Sequence, residues 1–203
     1  MELLSQSSEN ISDSKVIDKN GQKTIIIKYK DGTTETINPD KTSEISTQGE
    51  NGETITNYYS KDKKLQKKQI LNTDGSQETE QYDENGDLLQ SEKVAKGGNP
   101  TQTIQYEAGK PQSSVIKNGT TKETYNYDEN GNPILQTKVE NEGIPAKEKK
   151  TTYNYNEDGT VSENIVEYGK ETQRTLKDGK VLSETVKEGN KTTEKTYDED
   201  GYT

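Results

Sequence analysis

Turn residues punctuate this chain at nearly regular intervals. Glycines that close Tyr-Asp-type turns fall at Gly86, Gly109, Gly131, Gly159, Gly179 and Gly201, and a second series lies between them at Gly75, Gly98, Gly119, Gly143, Gly169 and Gly189. Turns roughly every 10 to 12 residues, with polar strands between, describe an antiparallel meander of repeated β-hairpins. Asn99-Pro100 and Gly143-Ile144-Pro145 mark the longer connections, because proline cannot donate to a central ladder. No window brings apolar residues back at three- and four-residue spacing, so the expected class is all-β.

The repeated unit is clearest from Thr121 to Gly143. In Tyr125-Asn126-Tyr127 the rings sit two apart, which on a strand puts both on one face and Asn126 on the other. Leu135, Thr137 and Val139 share a face in the same way after the turn, and Thr, Tyr and Val suit a pleated, half-buried surface. Asn130-Gly131 links the two runs with the residues that most readily hold the positive φ values of a tight hairpin turn.

Composition decides how such hairpins are stacked. Leu, Ile and Val supply 31 of 203 residues, Phe is absent, the formal charge is −10 and the mean hydropathy is −1.29. An apolar share below roughly 20% with a high net charge is the signature of chains that fail to build a thick core. The chain is therefore either a disordered acidic linker or an array in which each unit buries a small face against its neighbours. The regular punctuation favours the array, as an open single-layer sheet or a loose β-spiral.

Taken in order, residues 1–20 form a loosely ordered lead-in with one short strand at most. Residues 21–72 hold divergent hairpins. Ile25, Ile27 and Tyr29 lead into a Lys30-Asp31-Gly32 turn with Thr34, Thr36 and Asn38 returning, and Ile55, Tyr58 and Tyr59 lead into Lys61-Asp62-Lys63, where glycine is missing. A helix over Ser60–Leu71 is the rival reading there. Residues 73–203 carry the regular repeats, expected to continue beyond Thr203 because the chain stops just after a turn signal. No Cys is present, so disulfide frameworks and thiolate metal sites are excluded. Neither a signal segment nor an apolar run of about 18 residues appears, so no membrane span is expected.

Tyr82-Asp83-Glu84-Asn85-Gly86, Tyr127-Asp128-Glu129-Asn130-Gly131 and Tyr197-Asp198-Glu199-Asp200-Gly201, in units of twenty-odd residues, resemble the tyrosine-aspartate (Rhs-type) repeats of bacterial surface and toxin-carrying proteins. The resemblance covers roughly residues 75 to 203 and implies a β-spiral or shell at a bacterial surface or in a secreted protein. This chain lacks the Arg-Leu pair usual after the turn glycine, and Tyr155-Asn156 and Tyr106-Glu107 replace the Tyr-Asp dipeptide. Lys/Glu-rich strands such as Thr160–Ile165 also resemble the free-standing single-layer sheet of spirochaete outer-surface lipoproteins.

The residues that carry catalysis are scarce. Histidine and cysteine are both absent, which removes the commonest general base, thiol nucleophiles and the usual zinc ligands. Asp83/Glu84, Asp128/Glu129, Glu157/Asp158 and Asp198/Glu199 recur at one place in each unit, as turn residues do, whereas an active site is singular. Asp83, Asn85 and Asp87 alternate like calcium ligands but lack the distal bidentate Glu such loops use. The Lys61–Lys68 patch lies in an acidic chain whose one arginine is Arg174, so nucleic acid is not an expected partner. Asn118-Gly119-Thr120 and Asn190-Lys191-Thr192 match the glycosylation sequon, as chance allows in a Thr-rich chain.

Tyr125, Tyr127, Tyr153 and Tyr155 remain as the candidate partner-binding face. Tyrosine offers a large amphipathic surface to a protein or a carbohydrate, and cross-strand stacking that holds the sheet together is the competing role. The expected function is a non-enzymatic, cofactor-free repeat segment, monomeric or part of a longer chain, serving as scaffold, spacer or adhesive surface. Part of the β-shell of an Rhs-like toxin-delivery protein is the alternative.

Overall fold

The computed structural model describes residues 10–198. Residues 1–9 and the last expected turn, closed by Gly201, lie outside that range. The fold is all-β, with 17 strands among the described residues whose ladders are antiparallel hairpin to hairpin. The chain divides into two units, Met1–Pro111 and Gln112–Thr203.

The first unit holds β1 (Ile11–Lys19), β2 (Gln22–Tyr29), β3 (Thr34–Ile37), β4 (Ser43–Gln48), β5 (Thr54–Tyr59), β6 (Leu65–Leu71), β7 (Gln77–Tyr82), β8 (Leu88–Val94) and β9 (Thr101–Glu107). Residues 11–19 thus form a full-length strand within the lead-in. β6 occupies the second half of the Ser60–Leu71 window, so the rival helix gives way to a strand there. A 3-10 turn at Lys96–Gly98 precedes a cis Asn99–Pro100 peptide before β9. The second unit holds β10 (Lys110–Asn118, which begins at the boundary), β11 (Thr121–Tyr127), β12 (Pro133–Glu140), β13 (Lys149–Tyr155), β14 (Thr160–Glu167), β15 (Lys170–Lys177), β16 (Lys180–Glu188) and β17 (Lys191–Thr196). Each unit is an open meander: among the described residues no ladder joins its first strand to its last.

Register sorts the side chains cleanly. In the first unit one face carries a row running Ile27, Glu35, Ile45, Asn57, Lys68, Glu80, Ser91 and Ile104 across consecutive strands, flanked by Ile25, Ile37, Ile55 and Ile70. Thr34, Ser46, Thr56, Gln69, Thr79, Glu92 and Thr103 form the matching row on the opposite face. The second unit repeats the division, with Thr151, Ile165, Thr172 and Val186 in one row against Thr152, Asn164, Gln173 and Thr185 behind it. One-sided alternation of this kind pins register, since a one-residue slip exchanges the faces. The core is correspondingly thin: Ile165 is the one buried hydrophobic residue among those described, joined by Ser91, Ser114, Thr151 and Thr172.

Many of the turns repeat one frame. From Asp83 to Asp87 the Asp83 N–H donates to the Asp87 carbonyl at 2.9 Å and the Gly86 N–H donates to the Asp83 carbonyl at 3.2 Å, with Gly86 at φ 92°. The same frame recurs at 38–42, 49–53, 60–64, 72–76, 128–132 and 156–160. It is the three-residue hairpin loop ending in a left-handed bulge residue. Of the Asn130-Gly131 pair expected to hold the positive φ values of the hairpin turn, only Gly131 takes one, 82°. Where glycine is missing, Lys41 and Lys63 hold the left-handed position at φ 70° and 62°. Two-residue turns with both φ values positive occur instead at Asn20-Gly21, Ala108-Gly109 and Asp178-Gly179.

Candidate functional site: turn carboxylates and the tyrosine face

The turn carboxylates are engaged by the turns themselves, in two related networks. In the Asp-Glu-Asn-Gly turns the first residue folds its side chain back over the loop. Asp83 Oδ1 accepts the N–H of Asn85 at 2.8 Å and of Asp87 at 2.9 Å, and Asp128 Oδ1 accepts those of Asn130 at 2.9 Å and Asn132 at 2.8 Å. In the second network an Asn opens the loop and the Asp sits two residues on. Asp40, Asp74 and Asp158 each accept both the N–H and the hydroxyl of the Thr or Ser two residues later, at 2.6 to 3.0 Å. Asn38, Asn72 and Asn156 donate to those same hydroxyls at 3.0, 3.0 and 2.8 Å. Short polar side chains that bond their own backbone two residues on are the usual builders of such turns. These donors hold Asp40, Asp74, Asp83, Asp128 and Asp158 below the usual carboxylate range, by side-chain hydrogen bonds first at Asp40, Asp74, Asp128 and Asp158 and by the Asp87 N–H first at Asp83. Among the described residues no three acidic side chains gather as a metal would need.

The tyrosines follow a second rule. Tyr82 donates to Glu80 Oε2 at 2.6 Å and Tyr125 to Glu123 Oε2 at 2.7 Å, each reaching back two residues along its own strand face, while Tyr29 reaches Glu35 at 2.7 Å. Burial first, and then the neighbouring carboxylate, pushes Tyr29, Tyr82 and Tyr125 up to about 12. Tyr127 donates to the buried Ser114 Oγ at 3.1 Å, and Tyr106 lies 3.2 Å from Ser91 Oγ. Tyr58 points to the opposite, Thr-rich face, where it donates to Gln69 at 2.6 Å and carries Lys67 Nζ 3.8 Å from its ring centre.

Tyr125, Tyr127, Tyr153 and Tyr155 share one face but do not form an unbroken stripe. Glu123 pairs with Lys138, and Lys138 with Thr151, so residues of that parity on β11 and β13 point the same way. β12 lies between them and inserts Leu135 opposite Tyr125 and Pro133 opposite Tyr127. Tyr155 is the outlier in exposure at 52%, whereas Tyr125, Tyr127 and Tyr153 are half-buried. Three of the four are thus fixed into the sheet and one presents its ring outward. The Glu-x-Tyr spacing that secures Tyr82 and Tyr125 was visible in Glu80-Gln81-Tyr82 and Glu123-Thr124-Tyr125, and a period-2 reading of acidic next to aromatic residues finds it.

Lys61 to Lys68 falls on the β5–β6 loop and β6, where Lys64 Nζ donates to the Glu84 carbonyl at 2.8 Å and Lys68 pairs with Glu80 at 3.5 Å. Arg174 donates to Glu184 at 2.7 Å. Among the described residues no helix is long and apolar enough to cross a membrane. No family model matches the chain, and no curated protein matches it either.

Proposed function

We propose that this chain is a non-enzymatic repeat segment of a bacterial surface or secreted protein, a polar sheet that serves as a scaffold and spacer and displays an adhesive tyrosine face. What supports the reading is where the reactive groups go. Turn carboxylates accept the amides of their own loops and tyrosine hydroxyls accept or donate within the sheet, so these groups serve structure. Catalysis asks for the opposite, a convergent set of groups left poised for a substrate. The outward ring of Tyr155, on the same face as the half-buried Tyr125 and Tyr153, is the feature this reading assigns to recognition. Its partner is a carbohydrate or a protein, the two classes that an amphipathic ring at a polar sheet suits.

The test is retention of the purified chain on immobilised glycans and on extracellular-matrix proteins, wild type against Tyr155→Ala. Saturable retention that the substitution weakens is the expected result. Retention indifferent to Tyr155 would refute the adhesive face and leave a spacer. A hydrolytic or transfer activity abolished at Asp83 or Asp128 would overturn the non-enzymatic reading altogether.

A further inference from the structure

One block of the second unit stands apart in its side-chain chemistry. On the face of β13–β16 opposite to that of Tyr153 and Tyr155, Thr152, Asn164, Gln173 and Thr185 oppose one another across consecutive strands. Two residues along, Asn154, Ser162, Thr175 and Ser183 form a second row on the same face. Neither row holds a charged or an apolar side chain, in a chain that is 32% Asp, Glu, Lys and Arg. The pattern of the rest of the sheet resumes at the margins. Lys150, Val166, Glu171 and Lys187 make up the next row on one side, Lys177 lies on the other, and Glu194 follows on β17. The reverse face of these strands carries Glu163, Arg174 and Glu184.

All members of the block except Thr152 line a shallow depression of about 410 Å³. That is within the roughly 300–1,000 Å³ of small-molecule sites. Glu163 and Arg174 add to its wall, but their places in the ladders put their side chains on the reverse face, where Arg174 donates to Glu184 at 2.7 Å. Ser162 accepts from Asn156 at 3.2 Å and Gln173 donates to Glu171 at 3.3 Å, which uses part of the capacity of each. Asn164 Oδ1 is buried and has no hydrogen-bond donor among the described residues. A buried acceptor left without a donor costs stability, so its persistence asks for a reason.

We propose that this block is a binding site for a neutral carbohydrate, one hydroxyl of which donates to Asn164 Oδ1. Hydroxyl and amide side chains both donate and accept, as the hydroxyls of a sugar do. Side chains recur about every 4.8 Å across the strands and about every 6.7 Å along them, so an extended saccharide meets several at once. A carboxylate- or phosphate-bearing ligand finds no cation within the block. A protein partner finds none of the apolar pockets that hold the anchors of an interface. The site adds a second adhesive surface to the one proposed at Tyr155, on the opposite face, and stands independently of that ring.

The experiment is titration calorimetry of the 203-residue chain with neutral hexasaccharides of glucose, galactose, mannose and N-acetylglucosamine, and with hexagalacturonate as the charged control. Wild type is compared with Asn164→Leu, Thr185→Val and Tyr155→Ala, each with its urea midpoint. At least one neutral hexasaccharide should bind, and more tightly than hexagalacturonate. Thr185→Val should weaken it roughly five- to tenfold, the loss of one hydrogen bond, and Asn164→Leu at least as much. Tyr155→Ala should leave it unchanged. Asn164→Leu should unfold no earlier than wild type, because it removes an acceptor that has no donor in the free chain. An earlier midpoint would overturn the assignment of Asn164 as an acceptor held for a ligand. No binding of any neutral hexasaccharide, binding indifferent to both Asn164→Leu and Thr185→Val, or preference for hexagalacturonate would each overturn the proposal. Binding lost in Tyr155→Ala alone would overturn it as well, while upholding the tyrosine face.

Discussion

At the scale of single residues the fold is decided by which positions tolerate a positive φ. Gly86 and Gly131 hold the left-handed position of their loops, and a Cβ at either would meet nothing within 4 Å, so the glycine requirement there is conformational rather than steric. Gly86→Ala should therefore cost about 1 kcal/mol by strain alone. Lys63 occupies the equivalent position at φ 62° and carries that strain already. Lys63→Gly should stabilise the β5–β6 hairpin by roughly 0.5 kcal/mol, the relief of strain being partly offset by the wider freedom of glycine in the unfolded chain. Urea midpoints of the two variants measure both, and equal destabilisation by the two would contradict the assignment. The Asp-x-Asn pattern acts at the same scale. Its carboxylate supplies the acceptor that two loop N–H groups need once the chain reverses.

At the scale of strands and faces, stability rests on small contacts repeated many times. Ile165 on β14 lies between Thr151 and Thr172, both buried, and is itself 7% exposed. Truncation to alanine leaves a gap that these neighbours close only partly. Ile165→Ala should cost about 2 kcal/mol, the low end for a buried aliphatic, because its cross-strand neighbours are short Thr side chains rather than a packed apolar cluster. The check is the urea midpoint of the whole chain beside that of Ile104→Ala, a half-buried position on the equivalent face of the first unit, where a smaller loss is expected. The ion pairs rank below this. Lys93–Glu78 at 3.1 Å and Lys149–Glu140 at 3.4 Å join partly exposed side chains, where such pairs contribute little.

For the whole molecule the titrating groups set a pH window. The turn aspartates are depressed, so their contribution is present above the unfolded carboxylate value of about 3.9 and is lost as pH falls through the lower folded values. Tyr29, Tyr82 and Tyr125 are raised to about 12, so theirs is present below the unfolded tyrosine value of about 10 and is lost as pH rises toward 12. With no histidine to titrate between, stability should be flat from about pH 5 to pH 9 and fall on both sides. Thermal melts across that range test it, and a midpoint that moves within the plateau would contradict it.

Much of this architecture was legible beforehand. Period-2 alternation of Ile and Tyr with Thr, Lys and Glu, broken by Gly- and Asp-bearing turns, was enough to predict the all-β meander and to place Tyr125 and Tyr127 on one face, because strand periodicity and turn chemistry are local properties. The strand at Ile11–Lys19 was harder to see, since its one strong partner, Ile25–Ile27, is brought beside it only by the Asn20-Gly21 reversal. The position of β12 between the two Tyr-x-Tyr strands, the loop frame that gives Asn130 an ordinary φ, and the capture of Asp83 and Tyr82 by their neighbours depend on register, which is a relation between strands. Local sequence determined that this chain makes hairpins. Only tertiary pairing decided which side chains meet across them, because opposed residues are far apart in the chain and become neighbours when the ladder closes.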